Sequence, residues 1–209
     1  MNKCLGGFVI LGALAASTSA MASDKFQRAE FFGSYGQLDV EGLNADYDGI
    51  GGGLRIVGGQ RVGLFGDLQA EYIPTELDGG AQTDLDIENY RGGIGFGFPA
   101  FGDIGFFQLK GEYVSLRTEL ESGARDTQTG FGVHLQVEQD IAGSFGIDAS
   151  VGYLGLDDVD GTEFTVGFHW VPDTFGFFTQ FRWANLNGKE DGIADVEFSS
   201  LRVGFRVPF

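Results

Sequence analysis

The strongest constraint on this chain is a period of two that persists through most of its length. From Thr127 to Glu138 the odd positions are Thr127, Thr129, Phe131, Val133, Leu135 and Val137, and the even ones are Gln128, Gly130, Gly132, His134, Gln136 and Glu138. Because successive side chains of a strand point to opposite faces, this is one apolar and one polar face of a single β-strand. Val62 to Ile73 repeats the pattern, with Val62, Leu64, Leu68, Ala70 and Tyr72 opposed to Gly63, Phe65, Asp67, Gln69 and Glu71. No helical stripe competes with it. The spacing predicts ten strands, at about 28–38, 48–57, 62–73, 87–98, 104–117, 127–138, 145–156, 163–171, 177–187 and 196–209, with no linker or second domain between them.

Ahead of the strands stands a different kind of segment. Met1–Lys3 is a short basic start, Cys4–Ala16 is apolar, and small residues run to Ala20-Met21-Ala22 before Ser23-Asp24-Lys25. This is the pattern of a secretory signal peptide, residues 1–22, with cleavage expected after Ala22. The chain's one cysteine, Cys4, would leave with it, so neither a disulfide framework nor a Cys-based metal site is expected in the mature protein. No other run approaches the ~18 apolar residues of a transmembrane helix. An exported chain without one is either soluble or a membrane barrel.

The connections decide between those two. Tight turns near 58–60, 99–103, 139–144 and 172–176 alternate with mostly longer, polar connections near 39–47, 74–86, 118–126, 157–162 and 188–195. Outer-membrane barrels have this alternation, with short periplasmic turns, longer extracellular loops, an even strand number and both termini on the periplasmic side. In such a barrel the apolar faces meet lipid and the polar faces line the lumen. The polar faces here carry Arg28, Glu30, Arg55, Asp67, Glu71, Arg91, Lys110, Glu112, Glu138, Asp148, Arg182, Arg202 and Arg206, seven bases against six acids. So balanced and interleaved a set predicts an ion-pair network filling a narrow lumen, with Phe65, Phe106 and Phe178 as possible neighbours. Glycines on the same faces, such as Gly93, Gly95, Gly130 and Gly132, leave clearance for long side chains. Tyr35, Tyr72, Tyr90, Phe98, Tyr113, Phe145, Tyr153, Trp170, Phe177 and Trp183 stand near strand ends, as interfacial girdles do.

The last segment, Ser199 to Phe209, places Leu201, Val203, Phe205, Val207 and the terminal Phe209 on one face, with Gly204 inside the run. It resembles the assembly signal by which outer-membrane barrels are recognised for insertion, which commonly ends in Phe. With the leader and the ten alternating segments, the chain resembles a small bacterial outer-membrane β-barrel of the OmpA/OmpX-like porin-family class. The fold so implied is an all-β, closed antiparallel transmembrane barrel of about ten strands; eight, the usual number in those families, is the alternative. The resemblance implies a Gram-negative outer membrane, contact with lipopolysaccharide, chaperone-guided delivery to the barrel-insertion machinery, and a monomer. The strands run to the last residue, so no peptidoglycan-binding domain is expected after them.

Charge completes the reading. The 209 residues carry 30 acids and 13 bases, a formal charge of −17. Such a balance excludes nucleic acid, whose phosphates need a basic face. The excess is expected in the loops, in sets such as Asp39, Glu41 and Asp46, or Glu190, Asp191 and Asp195. Asp157, Asp158 and Asp160 are weak candidates for binding Ca²⁺ or Mg²⁺, since clustered oxygens suit hard cations; solvated acidic loops are the plainer reading. No other cofactor is expected. For chemistry, the hairpins would bring His134 near Asp148 and Ser150, and His169 near Ser150, a nucleophile, base and orienter of the hydrolase kind. Ordinary lumen hydrogen bonding explains the same residues, and no enzyme is expected. The expected function is a structural or surface-interaction role for a barrel with a polar, largely plugged lumen. A narrow path for ions or small solutes is the alternative, and a lipid- or peptide-modifying enzyme the third.

Overall fold

The computed structural model describes residues 26–41, 45–77, 85–100, 105–120, 123–190 and 193–209. The leader, Asp84, Asp191 and part of several connections lie outside these residues. Ten strands form: β1 (Arg28–Val40), β2 (Ala45–Gly59), β3 (Gly63–Leu77), β4 (Leu85–Ala100), β5 (Gly105–Leu120), β6 (Arg125–Ala142), β7 (Phe145–Leu156), β8 (Val159–Trp170), β9 (Gly176–Gly188) and β10 (Val196–Pro208). Each pairs antiparallel with its sequence neighbours, and β1 closes the barrel against β10 from Arg28↔Pro208 to Val40↔Val196. Closure leaves no edge strand, the condition for a sheet in lipid. The fold is the ten-stranded barrel the periodicity predicts.

The wall faces as the alternation requires. Ile50, Leu64, Ile94, Leu109, Phe131, Val133, Val151, Phe168, Leu201 and Val203 are exposed on its outer surface, while Arg28, Glu30, Asp67, Glu71, Glu112 and Arg202 are buried inside. Tyr35, Tyr72, Tyr90, Tyr113 and Tyr153 form one exposed belt toward the end of the barrel that carries the β1–β2 connection. At the opposite end, Trp170 stacks on Phe177 with ring centroids 6.1 Å apart, and Phe175, Phe177 and Phe205 lie 5.0–5.4 Å from one another. The tyrosine hydroxyls suit a hydrated interface, and the second aromatic group stands where a girdle at the other interface is expected.

Strand boundaries correct the sequence reading at the loop end. Asp39 and Val40 belong to β1, Thr75–Leu77 to β3, and Arg125 and Asp126 to β6, so connections expected at 39–47 and 118–126 shrink to 41–44 and 121–124. The β7–β8 connection is only 157–158. A strand leaving the membrane has no lipid to face, so it becomes polar outside without ceasing to pair. At the opposite end the turns among the described residues are 60–62, 143–144 and 171–175. Gly143 takes φ 56° in the two-residue turn between β6 and β7, a conformation that favours glycine.

Glycine has a second use where neighbouring backbone comes close. A Cβ on Gly51 would lie 2.0 Å from the carbonyl oxygen of Tyr72, whereas one on Gly58 would meet nothing within 4 Å. Gly51→Ala is therefore expected to lower unfolding stability by about 1–3 kcal/mol, the usual cost of overpacking, and Gly58→Ala to change it by less than about 0.5 kcal/mol. Urea unfolding of the barrel in lipid vesicles, read from its heat-modifiable gel mobility, checks both.

Candidate functional site

The lumen is crossed by one connected set of ion pairs. From the turn end, Arg61 meets Asp140 at 2.9 Å and Glu138 at 3.8 Å, and Arg28 meets Glu138 at 3.5 Å and Glu30 at 2.9 Å. Glu30 also receives Arg206 at 2.8 Å and Arg55 at 3.7 Å, and Arg55 reaches Asp67 at 2.8 Å. Lys110 then bridges Asp67 at 3.0 Å to Glu112 at 2.6 Å. Arg91 links Glu112 to Glu163, Arg182 takes Glu163 at 2.7 Å and Glu71 at 3.8 Å, and Arg202 holds Glu71 with two hydrogen bonds of 2.9 and 2.5 Å. Asp148 stands 4.0 Å from Arg206 and 3.8 Å from His169. All thirteen charged residues singled out in the sequence lie on this face and within reach of an opposite charge.

The sequence reading left out Arg61 and Asp140 at the turn end, and Glu163, which joins two arginines. Its signal was present, because Glu163, Thr165, Gly167 and His169 alternate with Phe164, Val166, Phe168 and Trp170 along β8. With Glu163, and apart from the turn-end pair Arg61 and Asp140, seven bases (Arg28, Arg55, Arg91, Lys110, Arg182, Arg202, Arg206) face seven acids (Glu30, Asp67, Glu71, Glu112, Glu138, Asp148, Glu163). Pairing on this scale is what permits charge in a narrow, poorly hydrated space, since a lone buried ion costs several kcal/mol. Aromatic rings share the interior with the pairs. Phe65, Phe106 and Phe178 point inward with Phe32, and guanidiniums lie over rings, Arg61 on Phe106 at 3.9 Å and Arg202 on Phe32 at 5.0 Å. Glycines supply the clearance: a Cβ on Gly152 would fall 2.0 Å from His134 Nδ1, and one on Gly95 2.3 Å from Phe65.

Toward the loop end the interior changes character, which corrects the expectation of a polar lumen throughout. Leu38, Ile73, Leu85, Ile87 and Phe198 form one buried cluster, and Val114, Leu154, Leu156, Val159 and Leu186 another. On the same strands the outward residues are now polar: Gln37 and Asp39, Asp86 and Glu88, Asn185 and Asn187, Glu197 and Ser199. The polarity of the wall inverts beyond the tyrosine belt. Where lipid surrounds the barrel the inside is charged; where water surrounds it the inside is an apolar core. Alternations such as Leu85-Asp86-Ile87-Glu88 carry that signal.

The hydrolase constellation does not assemble. Register sets Ser150 opposite Gln136 and Thr165, and its hydroxyl shares a 2.7 Å hydrogen bond with Thr165. His134 lies opposite Gly152, two positions along the strand, and its Nε2 is 2.9 Å from Glu112. His169 stands opposite Gly146, between Asp140 and Asp148. Among the described residues, Glu112, His134 and Glu163 are the one set of His, Cys and acid side chains close enough to share a metal ion. Both of its carboxylates already pair with Arg91, and Lys110 and Arg182 add further positive charge, so it reads as part of the ion-pair network. The loop acids have separate partners: Asp157 accepts from the Thr129 amide and hydroxyl at 3.0 and 2.8 Å, and Asp158 from Gln128 at 2.8 Å. The two Thr129 hydrogen bonds, helped by the charge of Lys189, hold the Asp157 carboxyl below its ordinary value. On β10, Leu201, Val203, Phe205, Val207 and Phe209 face outward, while Gly204 faces inward, where a Cβ would meet the Phe31 carbonyl at 2.1 Å.

This geometry, an apolar outer wall around a charged interior, is that of an outer-membrane barrel. The chain matches the outer membrane protein beta-barrel domain family over residues 8–171, and it belongs to that family. Its fold is similar to that of the outer membrane protease OmpT from Escherichia coli, with a TM-score of 0.51 at 9% identity over 92% of this chain and 100% of that one. The NanC porin (TM-score 0.43, 11% identity, 85% of this chain and 100% of that one) and the Neisserial surface protein A, NspA (0.41, 15%, 87% and 96%), also align. No curated protein matches the chain. Family membership places it in the bacterial outer membrane.

Two outcomes follow from the site. Glu163→Leu leaves Arg91 and Arg182 short of a partner in the interior and is expected to cost about 3–5 kcal/mol. Glu88→Leu, which breaks the more exposed 3.1 Å pair with Arg117, is expected to cost less than about 1 kcal/mol. Urea unfolding in vesicles separates them. Because the Asp157 carboxyl is lowered in the folded protein, its hydrogen bonds stabilise the loop above the ordinary aspartate pKa of about 3.9 and are lost as pH falls through the lowered value. The Thr129 amide resonance is expected to keep its neutral-pH position down to below pH ~4, and in Asp157→Asn to show no such acid transition.

Proposed function

We propose that this protein is a closed, non-conducting barrel that works through the surface it presents outside the cell, in a structural or surface-interaction role. The observation that carries this reading is the double obstruction of the lumen. A charged, aromatic-filled layer spans the membrane-embedded part, and an apolar core fills the part beyond the tyrosine belt. A ten-stranded barrel is narrow enough for side chains to fill, and here both layers are built of bulky ones. The projecting hairpins carry the acidic residues, among them Asp39, Glu76, Asp157, Asp158, Glu190 and Asp195. On this reading they meet lipopolysaccharide, with Ca²⁺ or Mg²⁺ between their carboxylates and the lipid phosphates.

The same reading covers biogenesis. The leader is cleaved after Ala22 during export, periplasmic chaperones deliver the monomer, and the insertion machinery recognises the apolar face of β10 from Leu201 to Phe209. The separation of Ser150 from both histidines, and the ion pairs that occupy His134 and Asp148, argue for no hydrolase chemistry. Purified protein in a planar bilayer is expected to give no discrete openings at any voltage that spares the membrane. Reproducible unitary openings from the pure protein would overturn the closed-lumen reading in favour of a narrow channel.

A further inference from the structure

One interior cavity has a wall of unusual composition. It lies at mid-lumen and is lined by Arg55, Gln69, Arg91, Lys110, His134, Arg182 and Arg202, together with Gln136, Ser150, Thr165, Gln180 and one carboxylate, Glu163. Five basic side chains thus face a space bounded by a single acid. The network is neutral as a whole, but it is oriented. Asp67, which pairs with Arg55 and Lys110, Glu112, which pairs with Arg91 and Lys110, and Glu71, which pairs with Arg202, are absent from the cavity wall. Several ion pairs therefore turn their positive ends toward the cavity and their negative ends away.

Donors there are also left over. Arg182 is 5% exposed, and its Nη1 has no hydrogen-bond partner; a carboxylate oxygen of Glu71 is 3.8 Å away. Gln69 Nε2, buried in the same wall, has none either. A buried donor without an acceptor costs about 1–3 kcal/mol, and what both donors lack is an acceptor.

We propose that this cavity binds one small monovalent anion of the halide class. Fixed donors and inward-pointing dipoles stabilise an anion without a full countercharge, as oriented backbone amides do in anion nests. Charge selects within the class: a monovalent ion needs only the leftover donors and oriented dipoles, whereas phosphate's second charge would be unmatched. Closure of the barrel and conduction through it are separate questions, because the site needs only the mid-lumen wall.

Bromide serves as the probe. The full barrel, reconstituted in lipid vesicles, is unfolded with urea at constant ionic strength while bromide replaces gluconate, an anion too large to enter. Stability is expected to rise with bromide along a saturating curve, as for any ligand of the folded state alone. Crystals grown in bromide are expected to show an anomalous peak within hydrogen-bond distance of Arg182 Nη1 and Gln69 Nε2. Gln69→Leu, which removes one free donor and no ion pair, is expected to weaken bromide about tenfold, the loss of one hydrogen bond to a charged group. Identical curves in bromide and gluconate, with water alone in the cavity, would overturn the proposal. So would stabilisation that Gln69→Leu leaves untouched with no bromide at this position, since the ion would then sit elsewhere. Should Gln69→Leu fail to fold, the bromide position in the unaltered protein decides.

Discussion

Each strand of this barrel passes through two exteriors, lipid and then water, while its partners and its pleat stay the same. An apolar residue gains by facing lipid in the first zone and by facing inward in the second. Along β10 the change falls between Leu201, which faces lipid, and Phe198, which faces the core; along β1 it falls between Tyr35 and Leu38. The lower barrel is thus built inside-out and the upper barrel like a soluble one. Most other features follow from that junction, including the position of the tyrosine belt, the acidic projecting hairpins and the apolar clusters at the loop end.

The inside-out zone sets its own demand. Polar side chains confined to a narrow lumen lose most of their hydration, so each charge needs a partner at contact distance. The partners come from across the barrel. Arg202 and Glu71 are 131 positions apart in sequence, and Arg28 and Glu138 are 110 apart. Each such pair is satisfied only when strands from opposite parts of the chain stand in their final register, because a slip of one residue would turn either partner toward lipid. The network therefore specifies closure, whatever its net contribution to stability. Arginine suits this role better than lysine, since its planar fork pairs with carboxylates and stacks on rings such as Phe106 and Phe32 at once.

How much of this was legible in the sequence depended on the range of the interaction. Period two is local, and Thr127–Glu138 reads the same in the chain and in β6. The thirteen interior charges were found because parity along a strand decides the face, and Glu163 obeys the same rule. Which charge meets which was out of reach, because pairing across the lumen depends on barrel closure and strand stagger, which no single segment encodes. The same limit undid the Ser150 constellation, where a displacement of two residues separates His134 from its supposed partner. The inversion of the wall was missed for a different reason. Leu85-Asp86-Ile87-Glu88 has a regular alternation, but alternation alone does not say which side is wet. That depends on where the lipid ends, and the tyrosines mark the place.

The direct test of the two-zone wall is the exposure of its outward residues to lipid and to water. Spin labels placed singly at Gln37, Tyr35, Phe131, Val151, Leu201 and Glu197 in the reconstituted barrel can be relaxed by oxygen, which concentrates in hydrocarbon, or by a water-soluble nickel chelate. The account predicts oxygen-dominated relaxation at Phe131, Val151 and Leu201, chelate-dominated relaxation at Gln37 and Glu197, and a crossover at Tyr35. Oxygen-dominated relaxation at Gln37 and Glu197 would place lipid around the apolar core and contradict it.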